Sequence, residues 1–204
     1  MGNIMILSYD EYVRIQTVEH GQVKKPHHYR VGERKAVDWF FKYEPLDARI
    51  LDVGCGVGVG IRQLYKLHFD KIVGIELNPR KVEVCLRRGY RVVCGDAGLE
   101  QFKSYGATFD IVWSSHSFEH CMPYITMMNL LGITSPDARF FFVLPYPDLT
   151  PANAHYASEE IGLNIDDGGK TLIQWFEDQG LELIVKKFDT FREKEIWLKF
   201  RKNK

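Results

Sequence analysis

Ile50-Leu51-Asp52-Val53-Gly54-Cys55-Gly56-Val57-Gly58-Val59-Gly60 is the stretch whose reading decides the fold. An aliphatic run carrying one carboxylate passes directly into alternating glycines, and a helical pattern follows over about 58–67. A chain that turns sharply from strand to helix needs residues without Cβ, so that the backbone can become left-handed and a ligand can lie against bare main chain. The spacing argues against one ligand class. The dinucleotide fingerprint G-x-G-x-x-G wants a glycine five positions after its first, and counting from Gly54, Gly56 and Gly58 finds Val59, Ile61 and Gln63.

Outward from this turn, short β-rich runs alternate with helical segments. Strands are predicted over about 49–54, 71–76, 90–94, 109–114 and 139–144, each bounded by Gly, Pro, Asp or Ser. Helices are predicted over about 79–88, 98–104, 120–132 and 169–179, with Pro79 suited to a first turn after Asn78 and Gly180 to a helix end. Such alternation is the pattern of a parallel sheet covered on both faces. After Gly180 two β-rich runs, 181–188 and 194–200, are joined by a short polar connection and read as an antiparallel hairpin. The expected fold is α/β: a doubly wound, Rossmann-like, seven-stranded sheet, mostly parallel, with a C-terminal antiparallel hairpin. Upstream, a helical pattern over about 31–43 places Val37, Phe40 and Phe41 on one face. Residues 1–204 are expected to form a single domain, with 1–46 a helical extension or lid and 47–204 the sheet core.

Composition narrows the function. Lys plus Arg (27) equal Asp plus Glu (27), so no overall field recruits nucleic acid or an anionic membrane, and neither is expected as a partner. The basic C-terminal end reads as a solvated terminus. The four cysteines have no metal-ligand spacing, the N-terminus does not resemble a secretory leader, and no apolar run is long enough to span a bilayer. Met1-Gly2 opens like a myristoylation signal, but Ile6 stands where that motif needs Ser or Thr. A cytoplasmic protein with reduced thiols is expected.

Two acidic residues follow the glycine loop at repeating positions. Glu76 ends the second strand, where a carboxylate can accept hydrogen bonds from both hydroxyls of a ribose. Asp96 follows the third strand, either to accept from an adenine amino group or to cap the next helix. Together these stretches resemble the class I S-adenosylmethionine-dependent methyltransferase superfamily, most closely its methyltransferase type 11 branch, over about residues 48–145. The resemblance implies S-adenosyl-L-methionine as cofactor, with Asp52, Gly54, Cys55, Gly56 and Gly58 at its methionine part and Glu76, with Leu77 beside it, at the ribose. Asp96 and Ala97 would meet the adenine, and Ser114, at the end of the fourth strand, completes the implied set.

Beyond the fourth strand, Ser115-His116-Ser117-Phe118-Glu119-His120 puts a polar segment where open α/β sheets bind ligands, and the same branch often carries a Glu-His pair there. His116, Glu119 and His120 are therefore the candidate catalytic residues: methyl transfer to a hydroxyl or amine needs an aligned nucleophile and a proton acceptor, and neutral imidazole suits the second task. A structural role for Glu119 and His120 in shaping the pocket is the rival. His116-x-x-Glu119-His120 also spells an inverted zinc-protease motif, but it abuts a strand end rather than lying on a helix, so no metal is expected. The long connection from Pro145 to about Asp167, with His155, Tyr156, Glu159 and Glu160, is expected to close over the acceptor together with His27, His28 and Tyr29. The resulting expectation is methyl transfer to an oxygen or nitrogen of a small molecule, a sugar among the candidates. The competitors are a nucleotide-dependent oxidoreductase and a catalytically silent binding protein of the same fold. Oligomeric state and acceptor identity are not legible.

Overall fold

A computed structural model describes residues 9–19, 27–98, 108–146, 170–189 and 195–203. Among the described residues, seven strands form one sheet: β1 (Ile50–Val53), β2 (Ile72–Glu76), β3 (Val92–Cys94), β4 (Phe109–Ser115), β5 (Thr134–Pro145), β6 (Leu181–Asp189) and β7 (Glu195–Lys202). Their order is β3-β2-β1-β4-β5-β7-β6. The first five are parallel, and β7 runs antiparallel to both β5 and β6. The expected doubly wound sheet with a terminal hairpin is what the chain forms.

The helices are α1 (Tyr9–Arg14), leading into a π-helical turn at Ile15–Glu19, α2 (His27–Phe41), α3 (Val59–Lys66), α4 (Pro79–Arg87), α5 (Pro123–Gly132) and α6 (Lys170–Asp178). One face of the sheet is covered by Ala36, Val37, Phe40 and Phe41 of α2 and Ile61 and Leu64 of α3, packed on Ile50, Trp113, Phe141 and Trp197. The other is covered by Met127 and Leu130 of α5 and Leu172, Trp175 and Phe176 of α6, packed on Val112, Phe140, Phe142, Leu198 and Phe200. The three side chains singled out on α2 are thus buried against the sheet.

Three boundaries differ from expectation for physical reasons. Pro123 opens α5, since proline tolerates the first turn where no N–H is needed; Phe118–His120 is a separate 3₁₀ turn before it, so the predicted helix over 120–132 starts late. β5 begins at Thr134, not 139, because its pairing with β4 shifts register between Phe109↔Thr134 and Ile111↔Arg139. That irregularity absorbs Pro136, which cannot donate to a ladder. The helix predicted over 98–104 lies outside the described residues, except for Gly98. Asn78 caps α4 as anticipated, its Oδ1 accepting from the Arg80 N–H at 3.0 Å with Pro79 at the first helical position. No helix among the described residues is long and apolar enough to cross a membrane.

Candidate functional site

The carboxyl ends of β3, β2, β1 and β4 lie side by side, and register places Cys94 against Glu76, Ile75 against Val53, and Val53 against Ser114. This brings most of the candidate residues to one edge of the sheet. Gly54, Gly56 and Gly58 have φ of 68°, 55° and 78°, the left-handed conformation that the alternating glycines were expected to need. α3 starts directly after Gly58, and no side chain of its own caps it. The cap comes instead from α2: Glu33 Oε1 accepts from the Gly60 N–H at 2.9 Å, placing a carboxylate at the positive end of α3. A Cβ on Gly60 would stand 3.0 Å from Asp52 Oδ2, 3.0 Å from Trp113 Nε1 and 3.1 Å from Glu33 Oε1, so three polar groups crowd this helix start.

Glu76 is buried at the end of β2. Its Oε2 accepts from the Gly56 N–H at 2.9 Å and its Oε1 from the Asn78 N–H at 2.8 Å, so this carboxylate also ties the glycine loop to the neighbouring strand. An ionised carboxylate has about four acceptor positions, which leaves capacity for donors from a ligand. Leu77 is half-buried beside it. Asp96 is buried and its Oδ1 accepts from the Gly98 N–H at 2.7 Å, the turn-capping contact weighed from the sequence. Ala97 is buried next to it, its carbonyl accepting from Asn129 Nδ2 of α5 at 3.5 Å.

Asp52 is buried at the third position of β1. Cys55 turns its side chain into the core beneath β2, where a Cβ on Gly74 would meet its sulfur at 2.7 Å. A hydrogen bond with Cys85, together with burial, pushes the Cys55 thiol well above the ordinary range. Only the main chain of Cys55 therefore remains for a ligand. Ser114 is fully buried, and its hydroxyl has no hydrogen-bond partner among the described residues.

After β4 the chain turns at His116, whose φ of 50° is left-handed for a non-glycine residue. Its Nε2 lies 2.7 Å from Glu195 Oε1 and its Nδ1 3.6 Å from Glu119 Oε1. Burial disfavours a charged imidazole here, but hydrogen bonds and attraction from Glu119 and Glu195 outweigh it and raise the His116 pKa to about 10. His116 is thus an imidazolium at neutral pH, a state that does not accept protons. Glu119 is buried, and His120 is half-buried at the end of the 3₁₀ turn. The H-x-x-E-H sequence does not lie on an α-helix: His116 itself is left-handed and Phe118–His120 forms a 3₁₀ turn. Among the side chains expected to close the site, those of His27, His28 and Tyr29, together with His155, Tyr156, Glu159 and Glu160, lie outside the described residues.

Two residues of this edge escaped the sequence reading. Glu33 shares a face of α2 with Val37 and Phe40 at helical spacing, and a carboxylate on an apolar face was the available signal. Glu195 shares a sheet face with Trp197 two positions on, an inward-pointing charge at a strand start.

Residues 51–142, from β1 through most of β5, match the family model of a methyltransferase domain. Over this span the chain is similar to a methyltransferase domain. Over 114 residues it is 31% identical to a malonyl-[acyl-carrier protein] O-methyltransferase of Herminiimonas arsenicoxydans, a match that spans 55% of this chain and 42% of that protein. The chain thus matches less than half the length of this curated relative. Its fold is that of magnesium protoporphyrin IX methyltransferase from Synechocystis, solved with S-adenosylmethionine bound, at a TM-score of 0.69 and 13% identity over 97% of this chain and 99% of that one. A TehB-like methyltransferase from Corynebacterium glutamicum superposes at a TM-score of 0.61 and 22% identity, over 84% of this chain and 88% of that one. Within and beside the matched span, the glycine turn, Glu76, Asp96 and the His116 turn all stand at one sheet edge, where open α/β folds bind their ligands.

Proposed function

We propose that this chain is an S-adenosylmethionine-dependent methyltransferase that methylates an oxygen or nitrogen of a small molecule. The observation that carries the reading is the left-handed glycine turn leaving β1, held through the Gly56 N–H to a buried carboxylate at the end of β2. The donor set fits a nucleoside sulfonium. Hydroxyls, an amine and an ammonium need acceptors, and buried Asp52, Glu76 and Asp96 provide them, with the Ser114 hydroxyl lacking a partner among the described residues. In this reading Glu76 accepts from the ribose hydroxyls, with Leu77 beside it, while Asp96 and Ala97 border the adenine. Asp52, the main chain of Gly54, Cys55, Gly56 and Gly58, and Ser114 hold the amino-acid end.

When bound, the cofactor supplies an electrophilic methyl carbon on a positively charged sulfur. The chain must align an acceptor and receive its proton. His120 takes the proton-accepting role, because the carboxylates around His116 keep that ring charged. His116 and Glu119 orient the turn that carries it. The π-helical turn is tied to the residues after β2: the Thr17 carbonyl accepts from Asn78 Nδ2 at 3.1 Å, two residues past Glu76. The O-methyltransferase relative and the balanced net charge favour a small or carrier-bound acceptor over nucleic acid.

Calorimetric titration with S-adenosylhomocysteine and, separately, NADH tests the cofactor. Methyl-labelled S-adenosylmethionine incubated with a fractionated metabolite extract then tests transfer. Binding of NADH alone overturns the reading in favour of an oxidoreductase; S-adenosylhomocysteine binding with no labelled product from any fraction reduces the chain to a cofactor-binding protein.

A further inference from the structure

Glu195 is the first residue of β7 and pairs across the sheet with Pro145, the last of β5. It therefore stands at the sheet edge that carries the site, although 79 positions separate it from His116. Both of its oxygens are engaged. Oε1 lies 2.7 Å from His116 Nε2, and Oε2 accepts from Trp197 Nε1 at 2.8 Å. Trp197 is buried in the core against Phe40, so the carboxylate is aimed from below by a side chain that has little freedom to move. α2 meets the same carboxylate at Gly32, whose Cβ position lies 3.7 Å from Oε1.

What Glu195 contacts is the side chain of a backbone turn whose own main-chain bonds run from the His116 N–H to the Val143 carbonyl at 2.9 Å and from the His120 N–H to the Ser117 carbonyl at 3.0 Å. His116 adopts a left-handed conformation that L side chains rarely take, and such residues persist where their surroundings fix them. The next residue reaches the glycine loop: a Cβ on Gly54 would stand 1.7 Å from Ser117 Oγ. The placement of this turn thus decides how much of the bare face of Gly54 is open to a ligand, and where Glu119 and His120 stand relative to it. We propose that Glu195 is a positioning residue for the methyl-transfer site, holding His116 and, through it, Ser117 and Glu119 against the glycine loop. This rests on the methyltransferase reading above, and it gives the C-terminal hairpin a part in the site in addition to completing the sheet.

The test is Glu195→Gln, followed by NMR of ¹³C-labelled histidine and ¹⁵N-labelled backbone. The His116 ring signal is identified by its loss in His116→Gln. In the wild type the ring is expected to stay charged up to about pH 10. In Glu195→Gln its midpoint is expected to fall by at least about one unit, the Gly54 amide resonance to move, and affinity for S-adenosylhomocysteine to change by about threefold or more. A role confined to packing against Trp197 would leave the His116 midpoint where it was. An unchanged midpoint and an unchanged Gly54 resonance in a folded variant overturn the proposal. So does a wild-type His116 that titrates near its ordinary value, a result that needs no variant to fold. A wild-type protein that does not bind S-adenosylhomocysteine overturns instead the reading on which the proposal rests, so the two failures are separable.

Discussion

At the scale of single residues, Glu76 carries two loads that are usually considered apart. It accepts the Gly56 and Asn78 N–H groups, and so shapes the loop to which it is proposed to add a ribose contact. Glu76→Ala is expected to weaken S-adenosylhomocysteine binding by at least about tenfold, because it removes a charge-assisted acceptor and leaves two buried N–H groups without one. Calorimetric titration of the folded variant checks this, and unchanged affinity removes Glu76 from the site. Gly60 tests the other end of the turn. A methyl group there enters a space bounded at 3.0 to 3.1 Å by Asp52, Trp113 and Glu33, of which Asp52 and Trp113 are anchored in strands. We expect Gly60→Ala to destabilise the fold by about 1–3 kcal/mol despite the better helix propensity of alanine, read as a lower urea midpoint; a neutral or stabilising effect means that the three polar groups yield more easily than their burial implies.

At the scale of elements, the parallel strands and the hairpin were legible because each is a short apolar run between turn residues and their alternation with helices admits few topologies. Boundaries failed where tertiary pairing overrode local signals. Thr134-Ser135-Pro136-Asp137 precedes the strand expected over 139–144, yet β5 begins there, with Thr134 pairing to Phe109 of β4 before a register shift. Phe118 lies just before the helix expected over 120–132, in a 3₁₀ turn, and its aromatic ring packs into the core. That ring lies 5.1 Å from Phe142 of β5, which also stacks on Phe176 of α6 at 4.7 Å. One central side chain therefore supports both a covering helix and the turn that bears Glu119 and His120. Phe142→Ala is expected to cost about 3–5 kcal/mol, measured by denaturant titration, and to broaden the amide resonances of residues 117–120 more than those of β2. Equal broadening everywhere would mean that Phe142 supports the core uniformly and not the turn in particular.

At the scale of the whole molecule, the candidate site divides by sequence distance. Asp52, the glycines, Glu76 and Asp96 follow one another along the chain as strand ends, so one pattern reveals them all. Glu33 and Glu195 reach the same edge through contacts 27 and 79 positions long, to Gly60 and His116, which only the packed α2 and the returning hairpin create. That long-range pairing has a thermodynamic consequence for the entire fold. In an unfolded chain a histidine titrates near about 6.5, whereas folding raises His116 to about 10, burial opposing the shift and the two carboxylates prevailing. The folded state thus binds this proton more tightly, and the linked stabilisation is whole below about pH 6.5. It declines as pH rises and is gone once His116 has lost its proton, near pH 10. We expect the thermal midpoint to fall over that window, and the fall to be shallower in Glu195→Gln, which starts with less to lose. Parallel curves for the two proteins from pH 6 to pH 10 would mean that the Glu195–His116 contact contributes nothing to folding, and that the left-handed turn at His116 is fixed by its packing alone.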